Sequence, residues 1–152
     1  YFGIGSGWFE RDYTEYGYEF GTARGRLDRL ADGLPRIRAR LDALTPSPVG
    51  KLPLLIGGSG EKVTLKLVAQ YADAWNSFGP PEVWAAKNAV LDRWCADLGR
   101  NPNDIERTVC VSHEDIERID AFVEAGATHL ILMLGEPFDF ADVEALLAAA
   151  DS

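Results

Sequence analysis

Apolar residues along the chain follow two alternating patterns. Short apolar runs of strand length, such as LPLLI at 52–56 and THLILML at 128–134, end at glycine. Between them lie longer stretches with an apolar residue at every third or fourth position, such as Leu27, Leu30 and Leu34, which is the spacing of one helix face. The patterns predict strands at 1–6, 52–57, 73–77, 105–111 and 128–134, and helices at 26–44, 61–72, 81–98, 114–125 and 140–149.

This alternation of strands and helices predicts a parallel sheet with right-handed crossovers. Two architectures remain open, a doubly wound sheet and part of a (β/α)8 barrel. In either one, ligands gather at the carboxyl ends of the strands. The segments at these ends are Gly5-Ser6-Gly7-Trp8, Gly57-Gly58-Ser59-Gly60 and Trp75-Asn76.

Three further features of single elements follow from the pattern. The strand at 128–134 is almost wholly apolar, which predicts burial on both faces. Pro35 lies inside the helix at 26–44 and is predicted to kink or break it. Arginines at 29, 36, 38 and 40 of the same helix alternate with aspartates, which is typical of a solvated face.

The turn at 57–60 joins a predicted strand to a predicted helix. Such a turn frees backbone N–H groups at the positive end of the helix dipole, which favours an anion. Ser59 adds a hydroxyl and Lys62 a charge, whereas Glu61 would repel a phosphate unless it points outward. Alternatively, the turn needs glycine only for its geometry and binds nothing. The spacing matches neither nucleotide-binding glycine motif, so it leaves both interpretations open.

Six aromatic residues follow the first predicted strand within residues 8–20. They are Trp8, Phe9, Tyr13, Tyr16, Tyr18 and Phe20. A loop at the carboxyl end of a strand can form the wall of a pocket for a flat ring, here with Ser6 and Gly7 beside it. Aromatic rings more commonly cap the end of a core. We favour the pocket wall for Trp8 and capping for the other rings.

Composition limits the classes of function. The 152 residues are 47% hydrophobic, enough for one domain with a core, and 24 acidic against 15 basic residues give a formal charge of −9. Such a surface repels nucleic acid and anionic lipid, so neither is an expected partner. No apolar run is long enough to span a bilayer, and two isolated cysteines are typical of reduced thiols in the cytosol.

Candidate chemistry among side chains is sparse. Cys95 and Cys110 lack metal-ligand spacing, and neither His113 nor His129 has a carboxylate or cysteine at such spacing. We therefore expect no metal site. No nucleophile has an identifiable base, so a Ser/His/Asp arrangement is not visible either.

Three blocks resemble a known family. GIGSGWFERDYTEYG, LPLLIGGSGEKVTLKLVAQYADAWN and AGATHLILML, in this order, are similar to the luciferase-like monooxygenase superfamily, and more narrowly to its actinobacterial members that use coenzyme F420 or FMN. The resemblance implies a (β/α)8 barrel, of which residues 1–152 would be one partial domain matching the fourth to eighth strands. The first three βα units would be absent.

The resemblance also implies a cofactor site, with F420 or FMN as the cofactor. The cofactor phosphate would bind at Gly57, Gly58, Ser59 and Gly60, with Lys62 and Thr64 as secondary candidates. Ser6, Gly7 and Trp8 would border the ring system, and Trp75 and Asn76 would lie near its base. The implied chemistry is hydride transfer to or from a small-molecule substrate, or activation of oxygen by reduced FMN.

The resemblance leaves the catalytic acid and base unnamed. A related sugar-phosphate dehydrogenase branch has glutamate where Trp8 stands, so we do not expect activity on glucose 6-phosphate. Two other functions remain open. One is a barrel enzyme of phosphorylated metabolites whose substrate phosphate binds the glycine turn, and the other is a fragment that binds phosphate without catalysis.

The chain begins at Tyr1, inside a predicted strand. We therefore expect it to be a piece of a longer polypeptide. A barrel without its first three strands exposes the edges of the strands at 1–6 and 128–134, so the chain on its own is expected to self-associate, and a homo-oligomer is expected for the protein.

Overall fold

The computed structural model describes residues 1–150, with side chains described to residue 148. The strands are β1 (Phe2–Ile4), β2 (Leu54–Gly57), β3 (Ala74–Ser77), β4 (Glu106–Val111) and β5 (His129–Leu132). The α-helices are α1 (Glu10–Tyr16), α2 (Ala23–Asp42), α3 (Thr64–Tyr71), α4 (Pro81–Asp97), α5 (Ile119–Glu124) and α6 (Ala141–Ala150), with short 3₁₀ helices at Pro102–Asp104 and His113–Arg118. None of the described helices is long and apolar enough to cross a membrane.

The five strands form one parallel sheet in the order β1-β2-β3-β4-β5. Spatial order therefore equals chain order. A doubly wound sheet reverses its strand order at a switch point, whereas consecutive barrel strands do not. The chain thus has the fold of part of a (β/α)8 barrel, as the sequence indicates, and within the described residues β1 and β5 each have a strand on one side only.

One face of the sheet packs against the helices and forms the core. Leu54 and Ile56 on β2, Trp75 on β3 and Val109 on β4 are fully buried on this face. Trp75 stacks on Trp84 of α4, with ring centroids 5.2 Å apart. Two buried aromatic rings in contact hold α4 firmly against β3.

The opposite face, here called the inner face, carries the alternate strand residues, including Leu55, Asn76 and Cys110. The sheet curls toward this face. Tyr1 Oη donates a hydrogen bond of 2.6 Å to Glu106 Oε2, although two strands separate β1 from β4. Strands lie about 4.8 Å apart, so curvature brings these side chains together. The hydrogen bond from Tyr1, and another from His129, lower the pKa of Glu106.

Two predicted helices differ in detail from the structure. The first begins at Ala23 and continues through Pro35 without a break. Thr22 caps it by accepting a hydrogen bond from the Gly25 N–H at 3.0 Å. The predicted helix at 114–125 is instead a 3₁₀ helix followed by α5, and Ser112 and Asp115 form a capping box at the start of the 3₁₀ helix.

One other expectation is wrong. The strand at 128–134 is not buried on both faces, because all four residues of β5 are partly exposed at the open edge of the sheet. Each histidine has a carboxylate partner that is distant in sequence. His113 Nδ1 lies 2.6 Å from Asp142 Oδ2, and His129 Nδ1 lies 2.9 Å from Glu106 Oε1. These partners are distant in sequence, so spacing could not reveal them.

Candidate functional site

A cleft of about 920 Å³ opens at the carboxyl ends of β1 and β2, beside the start of α2. Its volume is in the range that holds a cofactor or a drug-sized ligand. Of the ten residues predicted for the site, those lining the cleft are Ser6, Gly7, Trp8, Gly57, Gly58, Ser59 and Gly60, and the secondary candidate Thr64 lines it as well. Lys62, Trp75 and Asn76 lie outside its lining.

The floor of the cleft is the inner face of β1 and β2, and glycine leaves it almost bare. A Cβ at Gly3 would have no heavy atom within 4 Å, so the space above this residue is open. Gly5 and Gly57 lie so close together that a Cβ on Gly5 would be 3.4 Å from Gly57 O. Leu55 supplies the floor's one side chain. The result is a flat surface that a planar ring can cover.

Gly58 is held from behind by β3. Its N–H donates to Asn76 O at 2.9 Å, and its carbonyl accepts from Trp75 Nε1 at 2.8 Å. Its φ of 131° is a conformation that favours glycine. The expectation that the Gly58 amide faces an anion is therefore wrong, because the pairing of β2 with β3 continues to this amide.

The next two amides are free. Within residues 1–150, the N–H groups of Ser59 and Gly60 find no hydrogen-bond acceptor. The predicted start of the helix at 61 is also wrong, since α3 begins at Thr64 and the Leu65 N–H bonds back to Gly60 O at 2.9 Å. The buried Thr64 side chain fills the turn, and a Cβ on Gly60 would lie 2.9 Å from its Oγ1. The turn thus presents two unbonded N–H groups near the start of a helix, an arrangement suited to an anion.

Glu61 and Lys62 both turn away from the cleft. Glu61 forms an ion pair of 2.6 Å with Lys87 of α4, which lowers the pKa of the carboxyl group, and its carbonyl accepts from Trp94 Nε1. Lys62 lies in a separate surface depression beside Trp94. The predicted contribution of Lys62 to a phosphate site is therefore not supported by its position, and the Glu61 carboxylate does not oppose an anion there.

Arg26 supplies a positive charge that the sequence interpretation missed. It is the one charged side chain among the described residues that line the cleft. Its guanidinium lies 3.7 Å from the centroid of the Phe20 ring, and Nη1 donates to the carbonyls of Phe20 and Gly21. Its Nε is buried and has no partner within residues 1–150. The sequence offered one signal for Arg26: it directly precedes Leu27, the first residue of the apolar stripe, which places it near the start of the helix.

Trp75 and Asn76 are on opposite faces of the sheet, so a cofactor ring could not contact both of them. Trp75 is 0% exposed, so its predicted place near the base of a ring is wrong, and it instead supports the glycine turn from the core side. Asn76 lies on the inner face next to Gly57 in register. Hydrogen bonds with Thr108 and Cys110 orient its side-chain amide. Asn76 is thus next to the floor but is not one of the residues that line the cleft.

Residues 7–21, here called the aromatic flap, form one side of the cleft mouth. Its helix α1 buries no residue, which explains why no apolar stripe predicted it. Tyr13 packs edge-on against Phe20 with centroids 5.0 Å apart. The expectation that the rings other than Trp8 cap a core is wrong for Phe9, Tyr16 and Tyr18, which are exposed. Trp8 is 81% exposed and lines the cleft. Gly7 has φ 71°, and Tyr13 Oη occupies the place of a Cβ there.

Comparison with known proteins reveals similarity at the level of structure. No protein-family model matches the sequence, and no curated protein sequence matches it. The chain is similar to an F420-dependent secondary alcohol dehydrogenase in complex with an F420-acetone adduct, with TM-score 0.73 and 14% identity over 86% of this chain and 62% of that one. It is also similar to the coenzyme F420-dependent tetrahydromethanopterin reductase from Methanopyrus kandleri, with TM-score 0.67 and 11% identity over 95% of this chain and 70% of that one.

The chain therefore spans 62% and 70% of the lengths of these two solved structures. At identities of 14% and 11%, the similarity establishes the fold alone. Both comparisons agree with the strand order in assigning the chain to the barrel class.

Proposed function

We propose that this chain is the cofactor-binding part of a coenzyme F420-dependent oxidoreductase. The observation that carries the proposal is one cleft that combines a bare glycine floor with a turn whose Ser59 and Gly60 N–H groups have no acceptor in the described chain. The two solved structures described above are named as F420-dependent enzymes, which supports F420 as the cofactor.

The floor is suited to the planar ring system of the cofactor. The ring would rest on Gly3, Gly5 and Gly57, where backbone can approach it closely because no Cβ intervenes. Leu55 and Trp8 would provide apolar contacts to its face and edge. Packing a flat ring against these groups excludes water from the ring. The same contacts fix the orientation of its reactive edge.

The phosphate of the cofactor would bind at the other end of the cleft. The free N–H groups of Ser59 and Gly60 donate to it, the Ser59 hydroxyl adds a third donor, and the start of α3 contributes its dipole. Arg26, the one charged residue in the described lining of this cleft, provides the balancing charge. When bound, F420 supplies hydride transfer; the chain's residues hold and orient it.

The test is a titration of the intact protein with F420 and with FMN, followed by ligand fluorescence. A Gly3→Leu variant places a side chain in open space on the floor, and the backbone there is not in the left-handed region, so the fold is retained. We expect F420 to bind the unmodified protein and to bind Gly3→Leu at least about tenfold more weakly, because the side chain occupies the place of the ring.

A Gly33→Ala variant is the matched control. Gly33 lies on α2 with nothing within 4 Å of its Cβ position, and it is outside the cleft. This change should leave F420 affinity unaltered and stabilise the helix by up to about 1 kcal/mol. Equal F420 affinity for all three proteins, or no binding to any of them, would contradict the proposal.

A barrel enzyme of phosphorylated metabolites is the second candidate, because the turn and Arg26 would hold any phosphate. The apolar floor argues against it, since a sugar needs hydrogen-bonding partners and Gly3, Leu55 and Gly57 offer no polar side chain. Binding of a sugar phosphate but not of F420, with an affinity that Gly3→Leu leaves unchanged, would favour this alternative. Binding of F420 without turnover by residues 1–152 alone would favour the non-catalytic fragment.

A further inference from the structure

Phe78 is an exposed aromatic side chain to which the proposed cofactor site assigns no role. It follows β3 directly, is 59% exposed and lines the same cleft as Trp8. The turn that presents it is fixed by Gly79, whose φ of 111° favours glycine. Because Phe78 is in the cleft lining but remains largely in water, some of its apolar surface is available to a ligand.

Phe78 and Trp8 stand on opposite sides of the glycine turn. Trp8 follows β1 and Phe78 follows β3, and these strands flank β2, from which the turn extends. A ligand above the proposed ring would therefore lie between two aromatic side chains. Ile4 and Leu27 also line the cleft and add to its apolar surface.

Charge limits what can enter this mouth. Arg26 is the one charged residue in the described lining, and in the proposed site it faces the cofactor phosphate. The aromatic flap carries four acidic residues (Glu10, Asp12, Glu15 and Glu19) against one basic residue (Arg11). An anionic substrate would thus meet a negative field with no remaining cation, whereas a cationic one would find no carboxylate in the lining to pair with.

We infer that the substrate of this site is an uncharged, largely apolar molecule, and that Phe78 determines this specificity by packing against it opposite Trp8. The inference rests on the proposed function, because it takes the floor and the turn to be occupied by the cofactor. It predicts a preference for a neutral aromatic ligand over an anionic ligand with the same ring.

The experiment is calorimetric titration of the intact protein, with and without saturating F420, using naphthalene-2-methanol as the neutral probe and 2-naphthoate as the anionic one. We expect the neutral probe to bind the F420-loaded protein at least about tenfold more tightly than the anion. A Phe78→Ala variant should weaken binding of the neutral probe about fivefold, which is the effect of losing one aromatic contact. F420 affinity should be unchanged.

Phe140→Ala is the matched control, since Phe140 is 61% exposed but lies outside the cleft lining. This change should leave the affinity of the protein for both probes unchanged. Equal or tighter binding of 2-naphthoate, or an undiminished affinity of Phe78→Ala for the neutral probe, would overturn the inference. If F420 fails to bind while the neutral preference and its dependence on Phe78 persist without cofactor, the proposed cofactor is wrong but the apolar site is supported.

Discussion

Individual residues determine the shape of the cleft, and several of them are glycines, whose missing side chains leave space. Gly3 leaves open space on the floor, and Gly5 and Gly57 let two strands present bare backbone side by side. At the turn, Gly58 and Gly60 leave room for the buried Thr64 side chain. The floor and the turn of the cleft are therefore mostly backbone.

At the residue scale, Ser59→Asp tests the anion site. Ser59 is exposed and its N–H has no acceptor in the described part of the chain, so a carboxylate fits there without disturbing the fold. A negative charge next to the cofactor phosphate should weaken F420 binding about tenfold, even after screening by solvent. Fluorescence titration measures the change. Ser47→Asp, on an exposed loop away from the cleft, adds the same charge and should have no effect.

The sequence predicted the glycine turn but not the directions of its backbone N–H groups. The spacing of Gly57, Gly58 and Gly60 singled out a turn that lines the cleft. It could not reveal that the Gly58 amide bonds to Asn76 O, because that bond depends on where pairing between β2 and β3 ends. Arg26 was missed for a related reason, since its contact with Phe20 depends on how the flap folds back on α2.

Elements whose apolar residues face the core were predicted well, and the others were not. The stripe of α2 fixed that helix because Leu30 and Leu34 are buried against the sheet. Helix α1 buries nothing, so it left no periodic signal. Strand β5 is apolar in sequence but sits at an open edge, where apolar composition does not produce burial.

At the element scale, His113 should make the attachment of α6 dependent on pH. The hydrogen bond that His113 Nδ1–H donates to the Asp142 carboxylate, reinforced by the negative charge of that group, raises the pKa of His113 in the folded state. The contact therefore stabilises α6 fully below the unfolded pKa of about 6.5 and is lost as pH rises through the raised folded value. Amide hydrogen exchange in α6, corrected for its intrinsic pH dependence, should accelerate across this range.

A His113→Gln variant provides the control for this effect. It can keep a neutral hydrogen bond to Asp142 but cannot titrate, so exchange in α6 should no longer change between pH 6 and 8, roughly the window in which histidine titrates. The same acceleration in both proteins would mean that the pair does not attach α6. The effect should not extend to α2, which makes no contact with this pair.

The molecule as a whole is a curved sheet in which the two end strands of the described chain, β1 and β5, each have one neighbouring strand. Tyr1 reaches Glu106 across the inner face, which shows the curl of a barrel wall, whereas β1 and β5 pair on one side only in the described chain. The alternation of strands and helices predicted a parallel sheet but left a doubly wound sheet and a barrel both open, and the family resemblance implied the barrel. The contact between Tyr1 and Glu106 was not predictable from local sequence, because the two residues are 105 positions apart.

Open edges predict association when residues 1–152 are produced alone. Parallel strands with unpaired N–H and C=O groups and a partly exposed inner face should combine with other copies. Light scattering with size-exclusion chromatography should detect species larger than 16.7 kDa. A stable monomer of that mass with one cooperative melting transition would contradict the expectation.

A crystal structure of the intact protein with F420 tests the central claim most directly. The account predicts that the ring lies on Gly3, Gly5, Leu55 and Gly57, and that the phosphate is within hydrogen-bonding distance of the Ser59 and Gly60 amides and of Arg26. A ring bound elsewhere, or a phosphate that leaves those two amides facing water, would contradict it.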